Sequence, residues 1–420
     1  MKNNMLLIVM CISFLFLSWC GELSQSPEDP QQHVDFCIGV ECRTQPTTAE
    51  EFMPIFADQV KHYNEIASRI RPNNAVQGFD AIVVNMDRTK ARKVDMHGNL
   101  TNIPVEEADQ YAETIGYDTE FYFPPATDSR KFVVLTLNDE NLKNPESFKK
   151  YAHIGTYDLF ITYVHELFHK YEQPKRPKPE NIANREREEF SEKYEARATR
   201  GVIIQQLLNA FIYPDQTEEY IKKAVASYRN YQTTFPTDAE NSHYRDKNEG
   251  TAYYVELLSS LEVWYPDLPL DNIDNLYRAY GKIASTMSTQ RWVGAASEGY
   301  IVGGLAGILL DYLHIEWKSE LMNDLVKTPL DILAEHFDSQ ISSSDVVSPS
   351  EEMLQDYQNV TSKIQNPADM EKAAQNIYLI FNDIRSKDPA AYKVALEEMQ
   401  KENGDSEVMK RVLELLGEGN

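Results

Sequence analysis

Apolar residues recur at three- and four-residue spacing through residues 49–69, which places them on one stripe of an α-helix and predicts that element. The pattern then shortens. Residues 80–86 and 130–138 are compact runs of Val, Ile, Leu and Phe, predicting two buried strands and hence a small sheet. Gly98, Pro104, Gly116, Pro124 and Pro125 punctuate the chain between them, so loops and hairpins are expected there and no helix longer than about three turns. From residue 156 helical spacing returns, over 157–171, 184–211, 218–231, 249–264 and 299–313. A break at Ser342, Ser343, Ser344 and Pro349 precedes further amphipathic helices. No period of solenoid length recurs. These patterns predict an α+β, predominantly helical protein. A small mixed sheet sits in an N-terminal lobe over 49–155, a larger helical lobe covers 156–341, and a C-terminal helical segment covers 342–420. A length of 420 residues suits such a division.

The first residues change the picture of where the chain works. Lys2 precedes an apolar run over 5–17, too short to span a membrane comfortably, so residues 1–20 read as an export signal. Leu17-Ser18-Trp19-Cys20 resembles a bacterial lipoprotein box, in which the cysteine carries the lipid. Trp19 stands where a small residue is expected, and simple secretion is the alternative to a lipoprotein of the periplasm or cell envelope. Residues 22–32 are polar, with Pro27 and Pro30, as suits a flexible tether, and the linker is expected over 21–48. Of four cysteines, Cys11 and Cys20 belong to the signal. Cys37 and Cys42 are left to pair in a short disulfide loop, with no further thiol to build a thiolate metal site. Lys and Arg number 41 against 66 Asp and Glu, and a net charge of -25 repels nucleic acid and anionic lipid. Any membrane attachment is therefore expected only through a lipid on Cys20.

Candidate chemistry lies in residues 157–171. Leu159, Phe160, Tyr163, Val164, Leu167 and Phe168 form the face expected to be buried, with His165 and His169 on the other side. Four residues apart, the two imidazoles stack one turn above each other and can share a Zn2+ ion at about 2.0–2.1 Å. His165-Glu166-Leu167-Phe168-His169 has the H-E-x-x-H form, in which the glutamate is the general base for hydrolysis by metal-activated water. A third ligand is needed. Glu188, Glu189, Glu192 and Glu195 follow at convenient distances, but so acid-rich a stretch would match any spacing and also reads as a solvated helix face. The other candidate is Glu249, in Asn248-Glu249-Gly250-Thr251-Ala252-Tyr253-Tyr254-Val255-Glu256. There Gly250 and Ala252 permit a close helix approach, and Tyr253 and Glu256 share the face of Glu249.

That last run resembles the Asn-Glu-Gly-x-Ala segment that supplies the third zinc ligand in aminopeptidase N-type peptidases, members of the gluzincin clan. The resemblance implies that Glu249 binds zinc, that the fold is zincin-like and that the protein is a zinc metallopeptidase acting on proteins or peptides. In that family a tyrosine followed three residues later by glycine supplies a phenol to the oxyanion; Tyr300 and Gly303 match. The chain departs from the family in placing 79 residues between His169 and Glu249, a far longer interval. In this it is similar to uncharacterised bacterial gluzincin-like lipoproteins, over residues 156–337. The Gly-Ala-Met-Glu-Asn element that holds a substrate's amino terminus is missing upstream of His165, so exopeptidase action is unsupported. In zincins the strand before the active-site helix pairs with extended substrate. Residues 131–137 would take that part here, or serve simply as a buried core strand. The rival to a hydrolase is a noncatalytic surface lipoprotein, a binding or scaffold protein whose zinc site is structural or decayed.

Overall fold

The computed structural model describes residues 46–70, 78–111, 121–122, 131–138, 142–143, 158–173, 194–264, 273–287, 295–323, 327–364 and 407–418, with scattered positions in 374–396. The expected signal, the Cys20 lipid site, the linker as far as residue 45 with Cys37 and Cys42, and Glu188, Glu189 and Glu192 lie outside the described residues.

Helix α1 (Ala49–Ile70) starts where Thr48 Oγ1 accepts the Glu51 N–H at 3.2 Å, while the Glu51 carboxylate accepts the Thr47 N–H at 2.8 Å. Its apolar stripe, including Phe52, Phe56 and Tyr63, is buried. Five strands follow: β1 (Asp80–Asn85), β2 (Ala91–Val94), β3 (Leu100–Ile103), then, after helix α2 (Val105–Tyr111), β4 (Phe121–Tyr122) and β5 (Phe132–Leu137). They form one mixed sheet in the order β3-β2-β1-β5-β4. β1 and β5 run parallel, with Asp80 opposite Phe132 and Asn85 opposite Leu137; the other pairs are antiparallel. Both central strands are covered on two faces. Ala81 and Val83 join the main core, while Ile82 and Val84 pack with Ala108 of α2 on the opposite side. This is why they read as continuous apolar runs rather than alternating ones.

One expectation is corrected here. β5 is an interior strand and not the edge of the sheet, because β1 pairs along one side and β4 pairs with Val134 and Leu135 on the other. Of the two readings of that strand, the buried core strand is the one found.

Helix α3 (Asp158–Tyr171) packs against β5, and its Tyr163 hydroxyl donates to the Phe79 carbonyl at 2.9 Å, tying it to the start of β1. Residues 159–168 are all buried, so His165 and Glu166 are as enclosed as the apolar face of the helix. The helical part continues with α4 (Tyr194–Ile212), α5 (Thr217–Thr234), α6 (Pro236–Trp264), α7 (Ile273–Met287), α8 (Ala295–Tyr312), α9 (Lys318–Asn323), α10 (Pro329–Phe337) and α11 (Glu351–Ile364); α12 (Glu407–Leu416) lies near the C-terminus. α6 begins well before residue 249. Its first half carries Asp238, Ser242, Asp246 and Lys247, which are polar yet buried, so hydrophobic spacing does not mark it as a helix.

α6 and α8 lie backbone to backbone. A Cβ on Gly250 would meet the Gly299 carbonyl oxygen at 2.9 Å and overlap Gly303, and one on Gly303 would overlap the Asp246 carbonyl. One buried apolar cluster draws on α1, the sheet and the helices through Phe337, while Phe381, Tyr392, Val412 and neighbours form a separate small cluster. Among the described residues no helix is long and apolar enough to cross a membrane.

Candidate metal centre

α3 and α6 cross so that three ligand atoms converge. His165 Nε2 and His169 Nε2 lie 2.8 Å apart, and Glu249 Oε2 lies 3.1 Å from the second and 3.4 Å from the first. Tetrahedral ligands at about 2.0–2.1 Å from zinc are separated by roughly 3.3 Å, so the triangle is of the right size and slightly contracted. Among the described residues, these three are the cluster of His, Cys, Asp or Glu able to hold a metal ion.

The surroundings decide which way the rings present their lone pairs. Gln173 donates its amide N–H to the Asn248 carbonyl at 2.6 Å, leaving its Oε1 to accept from His169 Nδ1, also at 2.6 Å. Glu256 Oε2 accepts from His165 Nδ1 at 3.1 Å. With a proton fixed on each Nδ1, both Nε2 atoms are acceptors, and they face each other and a carboxylate oxygen. Three lone-pair donors in contact repel unless a cation sits among them, the proton His165 holds in the metal-free protein or a metal ion in its place. The donor set, two imidazoles and one carboxylate, is the chemistry a catalytic zinc takes.

Electrostatics agree. Burial opposes charge on His165, but Glu249 and Glu256 outweigh it and hold its pKa up, to about 10. Burial likewise opposes ionisation of Glu249, yet His169 and His165 bring its pKa well below the ordinary carboxylate range. Burial raises the pKa of Glu256. With Glu166, three carboxylates act on His165.

Glu166 follows His165 on α3 and is 1 % exposed, close enough for its charge to act on His165 and on Tyr300. Tyr300 is held by α8. Its ring stacks on His165 with centroids 5.4 Å apart and planes 13° from parallel, and Tyr253 meets it edge-on at 6.2 Å. Burial and its hydrogen bond with Glu249 keep the phenol protonated well beyond its ordinary range. Gly303, one turn further on, is what lets α8 approach α6 closely enough to bring this phenol to the ligands.

His165, Glu166, His169, Glu249 and Tyr300 are thus brought into one site. Glu195 is not; it is exposed in the first turn of α4. Spacing alone did not single out Gln173, although it stands one helical turn after His169. It also missed the buried ion network of Arg197, Arg200, Asp238, Asp246 and Glu298 behind the site. The available signal was two arginines one turn apart in an Ala- and Gly-rich helix, where unpaired charge is costly.

No known family profile, curated protein or solved structure matches the chain.

Proposed function

We propose that this protein is a zinc-dependent hydrolase of the gluzincin type with a zincin-like fold, cutting peptide bonds in proteins or peptides. The observation that carries the reading is the convergence of His165 Nε2, His169 Nε2 and Glu249 Oε2 from two helices, with both Nδ1 atoms committed to acceptors. Zinc held by these three residues would polarise a carbonyl and lower the pKa of water to near neutrality.

Glu166 is the general base: beside His165 in a buried setting, it takes a proton from the attacking water and returns it to the departing amine. Tyr300 donates its phenolic proton to the negative charge that develops on the carbonyl oxygen. Glu256 and Gln173 hold the two imidazoles in the tautomer the metal needs. Export, either with a lipid on Cys20 or by simple secretion, belongs to the same reading and would put the activity outside the cytoplasm.

The test is metal analysis of the purified protein together with a casein digest. One zinc per chain and cleavage abolished by a chelator are expected, and Glu166→Gln should keep its zinc and lose turnover by about 10²–10⁴-fold. Undiminished cleavage by Glu166→Gln at full zinc content would sink the mechanism. Stoichiometric zinc with no cleavage of any peptide would favour the noncatalytic protein.

A further inference from the structure

Arg197 and Arg200 stand one turn apart on α4 with side chains 0 % and 1 % exposed. Arg200 uses its whole fork. Its Nη1 and Nη2 donate to the two oxygens of Asp246 at 3.0 and 2.5 Å, and its Nε donates to Glu298 Oε2 at 2.8 Å. Arg197 bonds the same Glu298 oxygen and also Asp238. Both clamped helices carry site residues a few positions further on: Asp246 precedes Glu249 by three residues on α6, and Glu298 precedes Tyr300 by two on α8.

We propose that Arg200 is a positioning residue, whose bonds to Asp246 and Glu298 set the register of the Glu249 helix against the Tyr300 helix. This rests on the zinc-site reading of Glu249 and Tyr300. The contact between α6 and α8 is where such a device acts. At Gly250, Gly299 and Gly303 the backbones meet with no side chain between them, and further along α8 the rings of Tyr253 and Tyr254 from α6 lie against Gly304 and Gly307. Directional bonds from α4 hold the two helices together where Asp246 and Glu298 emerge. A planar guanidinium bonded at three nitrogens does so, whereas a lysine ammonium is a point charge without that geometry. Stability alone is a poor reason for the network, since apolar residues of similar volume often replace buried ion pairs without loss.

The experiment compares Arg200→Lys and Asp246→Asn with Leu208→Ala, a packing defect elsewhere on the same helix. Zinc affinity of the metal-free protein is measured by competition with a chelator, alongside Tm and the kcat and KM for casein. Arg200→Lys and Asp246→Asn should each weaken zinc binding roughly tenfold and lower kcat with KM little changed. Leu208→Ala should lower Tm and leave zinc affinity as in the wild type. If Arg200→Lys fails to fold, Asp246→Asn decides. Wild-type zinc affinity in the folded clamp variants would overturn the proposal, as would an equal loss in Leu208→Ala. A wild-type protein that binds zinc but leaves casein intact counts against the peptidase reading alone, whereas one that binds no zinc removes both.

Discussion

Glu256→Leu isolates what a residue outside the ligand set contributes to the metal site. In the wild type, Glu256 Oε2 accepts from His165 Nδ1 at 3.1 Å inside a buried site, which leaves Nε2 free to bind metal. Leucine fills a similar volume and removes the acceptor, so zinc binding would strand a buried N–H at a cost of about 1–3 kcal/mol. That corresponds to a zinc Kd weaker by about 5- to 150-fold. Glu256→Gln keeps an oxygen and loses only the charge, worth about 1 kcal/mol, or roughly fivefold.

The pH dependence makes the test sharper. Against the opposing effect of burial, Glu249 and Glu256 hold the His165 pKa up at about 10 in the metal-free protein, and zinc must displace that proton. Wild-type affinity therefore rises with pH towards that value. Removing Glu256 also relieves the proton competition, which masks part of the variant's deficit near neutrality. The deficit should consequently be larger at about pH 9 than at about pH 7 in competitive titrations against a chromophoric chelator. A Glu256→Leu affinity matching wild type at the higher pH, or a deficit that shrinks as pH rises, would refute the reasoning.

Other outcomes follow from the same geometry. Tyr300→Phe should lower kcat by about 10²–10³-fold with zinc content unchanged, and steady-state kinetics with an unaltered kcat would remove the phenol from the chemistry. Gly303→Ala places a methyl against the Asp246 carbonyl where the helices touch, so thermal unfolding should show a loss of about 1–3 kcal/mol. The His165 pKa, raised from 6.5 to about 10, favours the folded metal-free protein fully below pH 6.5. That contribution fades as pH climbs through the folded value. Urea midpoints of metal-free protein should fall over this interval, and saturating zinc should flatten the fall; a midpoint rising with pH would contradict it.

How much of this was legible beforehand differs from element to element. α1 and α3 showed in the hydrophobic spacing because each buries a wide apolar stripe. β1 and β5 showed as continuous apolar runs because each is covered on two faces. The first half of α6 was invisible for the opposite reason: its buried positions Asp238 and Asp246 are charged and satisfied by arginines from α4, so burial there leaves no apolar trace. The place of β5 inside the sheet was equally hidden, since strand order depends on pairing between distant segments.

The local half of the site was legible in the order of residues alone. Two histidines four residues apart on a helix must share a face, and the glutamate after the first must lie beside them, because helical geometry allows nothing else. Which acid completes the set is not a local question. Spacing offered Glu188, Glu189, Glu192, Glu195 and Glu249, and the tertiary structure brings Glu249 to the histidines while Glu195 stays exposed. Packing made that choice. Glycines let α6 and α8 close together, the arginine clamp ties them to α4, and α3 crosses α6 where the carboxylate emerges.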